Sequence, residues 1–162
     1  MRRQNFKWIG VGLLILAAGW RVWMALRPDP GVSERAWFYD LSEKKLFVAQ
    51  RGSVPPIRGI NNTEEDGVRA VVVAPPGKCD DPAARRIAYL ETNAPELKQS
   101  LDAARASGTV PNLSRGQAQS LRLVRRPTDA TWVSLASPEG EAIVSEWAVP
   151  GPDGMSPAVC TP

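Results

Sequence analysis

The 162-residue chain predicts an α+β fold: an N-terminal transmembrane helix, then a small domain with a mainly antiparallel sheet and one or two helices. Three observations lead there. An uncharged apolar run opens the chain. Short segments with strand-like alternation recur beyond it. One central stretch carries helical spacing with helix stop signals. The corresponding divisions are a membrane anchor over 1–27, a linker over 28–35, an α+β domain over 36–149 and a Pro/Gly-rich tail over 150–162.

Trp8 to Trp20 contains no charged residue, and "VWMAL" extends the apolar pattern beyond Arg21. As a helix, Trp8 to Leu26 spans roughly 28 Å, near the thickness of a bilayer core. Leu13, Leu14 and Leu16 supply its apolar middle, while Trp8, Trp20 and Trp23 suit the two interfaces. Arg21 lies near one end and reaches the headgroups, and Pro28 and Pro30 stop the helix. A cleaved signal peptide and a buried core helix are the alternatives. The first has a suitable basic start, but only "AAG" before Trp20 as a passable cleavage site. Arg2, Arg3 and Lys7 precede the span, whereas Arg21, Arg27 and Arg35 after it are diluted by Asp29 and Glu34. That bias favours an inside N-terminus and a C-terminal domain outside the cytoplasm.

The domain opens with "AWFYDLSEKKLFVAQ", two aromatic and apolar runs around a polar turn, which predicts a β-hairpin. "RGSVPPIRGINNTEEDG" reads as an exposed loop with a short extended piece at Pro56 to Ile60. "VRAVVVAP" is the strongest strand and is apolar on both faces near its end, so it is expected to be central; Pro75 and Pro76 end it. Asp81 fits an N-cap and Pro82 a first helical position, with Ala83, Ile87, Leu90 and Ala94 at helical spacing. Pro95 kinks this helix or begins a second one. That second stretch, "PELKQSLDAARASG", carries Leu97, Leu101 and Ala104 on one stripe and Gly108 as a stop. "TVPNLSRG" reads as a loop and "SLRLVRR" as a strand. "ATWVSLASPEGEAIVSEWAV" reads as a second hairpin around "SPEG", with Trp132 and Trp147 as core candidates. The tail is expected to be irregular.

Composition excludes several activities. The chain has no histidine, which removes Ser-His-Asp and Cys-His catalysis and histidine metal sites. Two cysteines cannot build an ordinary structural zinc site. No cofactor is implied. The net charge of +3 is uneven, because all 17 acidic residues but only 15 of the 20 basic ones lie beyond position 27. The basic balance thus belongs to the N-terminal segment and gives no support for nucleic-acid binding. Arg125 and Arg126 read as a solvated strand edge. "TEEDG" (63–67) lacks an EF-hand pattern and reads as a solvated loop. Asp40, Glu91 and Glu96 are the carboxylates from which a catalytic pair would have to come, but nothing in the sequence brings two together. Asn61 and Asn112 match the glycosylation sequon, a pattern that arises readily by chance.

Cys79 sits at a strand-to-helix junction, where a helix N-terminus lowers a thiol pKa, but Asp80 and Asp81 beside it favour the neutral thiol. A disulfide with Cys160 is the favoured reading for an exported domain. It closes a loop of roughly 80 residues and contributes about 4 kcal/mol on the chain-entropy account. A reactive thiol, two free thiols and an intermolecular bond are the other possibilities.

"AWFYDLSEKKLFVA", "GVRAVVV" and "AYLETNAPELK" together resemble uncharacterised bacterial single-pass envelope proteins with an N-terminal membrane segment. The resemblance covers Trp37 to Lys98 and contains no catalytic signature. It implies a membrane-anchored envelope protein of unknown activity; with the apolar run, the expectation is a single-pass inner-membrane protein held in the lipid bilayer through residues 8–26. The expected function is a non-enzymatic accessory or interaction role toward an envelope protein partner. A Cys79-dependent exported enzyme or redox protein and a small-ligand-binding module are the alternatives.

Overall fold

The computed structural model describes residues 18–21, 23, 33–61, 63–151 and 154–162. Two compact units are present, Met1–Val32 and Ser33–Pro162. In the first, residues 18–21 and 23 are helical, with Trp20 and Trp23 exposed and their rings 5.2 Å apart. The remaining anchor residues, Trp8, Leu13, Leu14 and Leu16 among them, lie outside the described residues. Among the described residues, no helix is long and apolar enough to cross a membrane.

The second unit is a small α+β domain with an antiparallel sheet in the order β2-β1-β3-β4-β5-β6. The expected hairpin forms β1 (Arg35–Asp40) and β2 (Lys45–Gln50), in register from Arg35↔Gln50 to Asp40↔Lys45. β3 (Gly67–Ala74) lies between β1 and β4, as its two apolar faces require. Ile57 of the preceding loop bridges to Gly67. A Cβ on Gly67 would stand 2.9 Å from Phe47 Cζ and 3.0 Å from the Ile57 carbonyl oxygen, so only glycine admits this approach.

Three regions of the sheet differ from expectation. The segment expected to start a helix at Pro82 instead forms a turn and then β4 (Arg86–Asn93). Asp81 Oδ1 accepts from the Ala83 amide at 3.0 Å, a turn contact, and the chain then extends. Ala88, Leu90 and Thr92 are buried and alternate with half-buried Ile87, Tyr89, Glu91 and Asn93. The helical spacing of Ala83, Ile87 and Leu90 was incidental, because pairing on both sides, to β3 and to β5 (Arg122–Arg125), satisfies the backbone as a strand. The expected hairpin around "SPEG" is instead the short β6 (Val133–Ser134) followed by a helix, Pro138–Glu146. Ser137 caps that helix by accepting from the Gly140 amide at 3.0 Å, and Glu139 and Glu141 favour its positive end. Finally, Ala158–Val159 of the tail forms β7, which pairs with Val73 and Ala74 on the stretch of β3 beyond the reach of β1.

Among its described residues the domain has three helices. Pro95 opens α1 (Pro95–Ser107), and Gly108 closes it at φ +66° with its amide donating to the Ala104 carbonyl. Leu97 and Ala104 are buried, as the stripe predicts. α2 (Arg115–Ser120) begins inside the stretch expected to be a loop; its signal is the Ser114–Gln117 capping box, which starts within that stretch. α3 (Pro138–Glu146) packs on β4, β5 and β6. Gly140 lets it approach closely: a Cβ there would fall 2.1 Å from the Ser134 carbonyl oxygen.

Candidate functional site

Directly paired residues project from the same side of a sheet. The register therefore draws a row across six strands: Phe47, Phe38, Arg69, Glu91, Val124 and Val133. Its middle is an arginine beside a glutamate, flanked by aromatic rings on one side and valines on the other. The opposite side carries Val68, Ala70, Val72 and Leu90, which form the buried apolar cluster with Ala74 and Cys160.

Cys79 and Cys160 are joined by a disulfide, with Cα atoms 5.3 Å apart. Both thiols are consumed by it. Cys160 is buried, and its amide donates to the Val72 carbonyl at 2.8 Å, so the bond and β7 together hold the tail on β3. Arg85 Nε donates to the Cys79 carbonyl at 2.6 Å, and its guanidinium lies over the Trp37 ring. Asp80 and Asp81 are exposed and cap no helix.

The three candidate carboxylates have separate surroundings. Asp40 is fully buried at the end of β1. Its Oδ1 accepts from the Glu43 amide at 2.7 Å and from the amide and hydroxyl of Ser42 at 3.0 Å, and its Oδ2 accepts from the Ile60 amide. These donors, the Glu43 amide foremost, hold its carboxyl below the ordinary value against the opposing effect of burial. Asp40 ties the hairpin turn to the loop before β3, which is a structural role. Glu96 is exposed in the first turn of α1, where the helix dipole favours it. The "TEEDG" acids also have protein partners: Glu65 pairs with Lys98 at 3.5 Å, and Asp66 Oδ2 accepts from the Ser42 hydroxyl at 2.6 Å. No group of three potential metal ligands occurs among the described residues. Arg125 and Arg126 are engaged within the domain, Arg125 over Trp132 and Arg126 in a two-pronged pair with Glu146.

Glu91 is the carboxylate that faces a cleft of about 370 Å³. One wall is the loop after β2, including Ser53, Val54 and Pro55. Side chains from three elements fasten this loop. Arg69 Nη2 of β3 donates to the carbonyls of Arg51 and Ser53, Asn93 Nδ2 of β4 donates to the Pro55 carbonyl at 2.7 Å, and Arg105 Nη1 of α1 donates to the Gly52 carbonyl at 3.0 Å. Leu97 and Leu101 of α1 and Ala118 of α2 provide an apolar wall. Arg122, at the start of β5, completes the lining.

The charges in this cleft are not equivalent. Arg69 is half-buried over the Phe38 ring and spends donors on the loop; burial pulls its pKa down, while Glu91 acts in the opposite direction. Arg122 is half-exposed, and its guanidinium meets Glu91 at 3.7 Å, an ion pair outside hydrogen-bonding distance. Its donors are therefore available at the cleft. Burial, with Glu91 adding to it, pushes the nearby Tyr89 hydroxyl up to about 12. The arrangement is suited to holding a polar group against an apolar surface.

Arg69, Asn93 and Arg122 were not identifiable from sequence as a group. They are brought together by strand register and by a loop 38 residues from its Asn93 partner. The alternation in "SLRLVRR" was the sole local signal, and it shows only that Arg122 projects opposite to Leu121 and Leu123. Comparison with protein-family models, curated proteins and solved structures returns no match.

Proposed function

We propose that the chain is a membrane-anchored, extracytoplasmic accessory or interaction protein of the bacterial cell envelope, without catalytic activity of its own. The Cys79–Cys160 bond carries this reading: it fastens the C-terminal tail to the central strand, and such bonds persist in oxidising compartments. The uncharged run from Trp8 to Trp20 supplies the attachment, and the absence of histidine removes the commonest catalytic base. Alkaline phosphatase fused to the C-terminus of the full chain is expected to be active in cells, and a cytoplasm-only reporter at the same place inactive. The reverse pattern overturns the topology. Photo-crosslinking groups placed at exposed positions of the domain are expected to give a discrete protein adduct in intact cells. A chain that stays monomeric and forms no adduct overturns the interaction role.

A second reading, a small-ligand-binding module, is favoured by one observation: the cleft beside Arg122 combines an apolar wall with a guanidinium that makes no hydrogen bond among the described residues. Its volume lies within the usual range for small-molecule sites, about 300–1,000 Å³.

A further inference from the structure

We infer that the cleft between the loop after β2 and helices α1 and α2 binds a carboxylate with a short apolar body, held by Arg122. The charge of the cleft is the first reason. The lining carries two guanidinium groups, Arg69 and Arg122, and one carboxylate, Glu91, which meets Arg122 at 3.7 Å, so a positive charge is left over. The second reason is how the two arginines are used. Arg69 is fixed by loop carbonyls and belongs to the wall. Arg122 is half-exposed and makes no hydrogen bond with its side chain among the described residues, so its planar fork is free to meet a carboxylate through two parallel N–H···O bonds. The third is the remaining lining. Leu97 and Leu101 offer an apolar surface beside the charge. The loop wall is already fastened from three elements, so little ordering has to accompany binding.

Two sources share this chemistry: a free branched or straight-chain acid, and the C-terminus of a peptide ending in an apolar residue. The assignment rests on the reading of the domain as a small-ligand-binding module. The test uses the full-length chain in zwitterionic-lipid nanodiscs, titrated calorimetrically against empty nanodiscs. The probes are 4-methylpentanoate, its primary amide, and the tripeptide Ala-Ala-Leu with a free or amidated C-terminus. At least one carboxylate is expected to bind with a Kd on the order of 1 mM or tighter, and its amide counterpart about tenfold more weakly or worse. Preference for the acid over the tripeptide identifies a free acid, and the opposite preference a peptide terminus. Arg122→Gln, at a half-exposed position, is expected to weaken carboxylate binding at least about tenfold without altering the unfolding midpoint. Ala118→Trp, which fills the cleft from α2, is expected to abolish it. Equal binding of acid and amide, or unchanged binding by Arg122→Gln, overturns the carboxylate assignment and leaves the ligand-module reading standing. Binding of none of the four probes overturns both.

Discussion

Adjacent residues on the central strands meet opposite surroundings. Val68, Ala70, Val72 and Leu90 project to one side, into an apolar cluster closed by Cys160 and flanked by Cys79, Ala84 and Trp132. Arg69 and Glu91, one step along the same strands, project to the other side among Phe38, Tyr89 and the fastened loop. One face is built from dispersion, exclusion of water and a covalent bond. The other distributes charge and hydrogen bonds around buried Phe38 and Val124, and it opens into the cleft beside Glu91.

That contrast can be broken at several points. Replacing both cysteines by alanine is the largest expected loss, about 4 kcal/mol in urea unfolding, because the bond closes a loop across 81 positions. A loss below about 1 kcal/mol would mean that β7 and the apolar cluster hold the tail unaided. Leu90→Ala, fully buried on the same face, is expected to cost about 3 kcal/mol by the same measurement. A much smaller cost would show that the cluster collapses into the space and is less tightly packed than its burial implies.

The polar face is expected to answer to pH, with smaller effects. The Asp40 carboxyl titrates below the ordinary 3.8 in the folded state. Its contribution is therefore fully present above that value and is lost as pH falls through the folded one. Asp40→Asn should lower the urea midpoint at neutral pH and flatten its decline in acid. An unchanged acid limb would show that the turn does not depend on the charge. Tyr89 has the opposite sign. Its hydroxyl is raised from 10 to about 12, so the stability it contributes is complete below pH 10 and disappears as pH rises toward 12. Ultraviolet titration should find a tyrosine ionising near 12 in the folded protein, and Tyr89→Phe should remove that step and soften the alkaline loss. This is the smallest effect expected, because the side chain is only half-buried.

Much of the first half of the domain was legible from local pattern. The hairpin of β1 and β2 is announced by two aromatic or apolar runs around "SEKK", and β3 by its valines and the prolines after it. α1 is announced by Pro95 at its start and Gly108 at its end. In these stretches propensity, pattern and punctuation agree. Between Pro82 and Asn93 they conflict: Asp81–Pro82 and the apolar spacing suit a helix, while Ile87, Tyr89 and Thr92 suit a strand. The conflict is resolved by β3 and β5, whose unpaired backbone groups lie on either side. After Ser134 the outcome reverses, since Ser137 and Pro138 start a helix where a hairpin turn was expected.

By itself, the sequence determined the apolar N-terminal run, the exclusion of histidine chemistry and the residues available for a disulfide, because each is a property of composition or of neighbours a few positions apart. The α+β class with a mainly antiparallel sheet followed from the same local patterns. Only the tertiary structure decided that Cys79 lies 5.3 Å from Cys160, that β7 occupies the stretch of β3 beyond β1, and that Arg69, Glu91, Asn93 and Arg122 line one cleft. Those are pairings between residues up to 81 positions apart. The cleft depends on strand register, and a shift of one residue would send Arg69, Glu91, Asn93 or Arg122 to the opposite face.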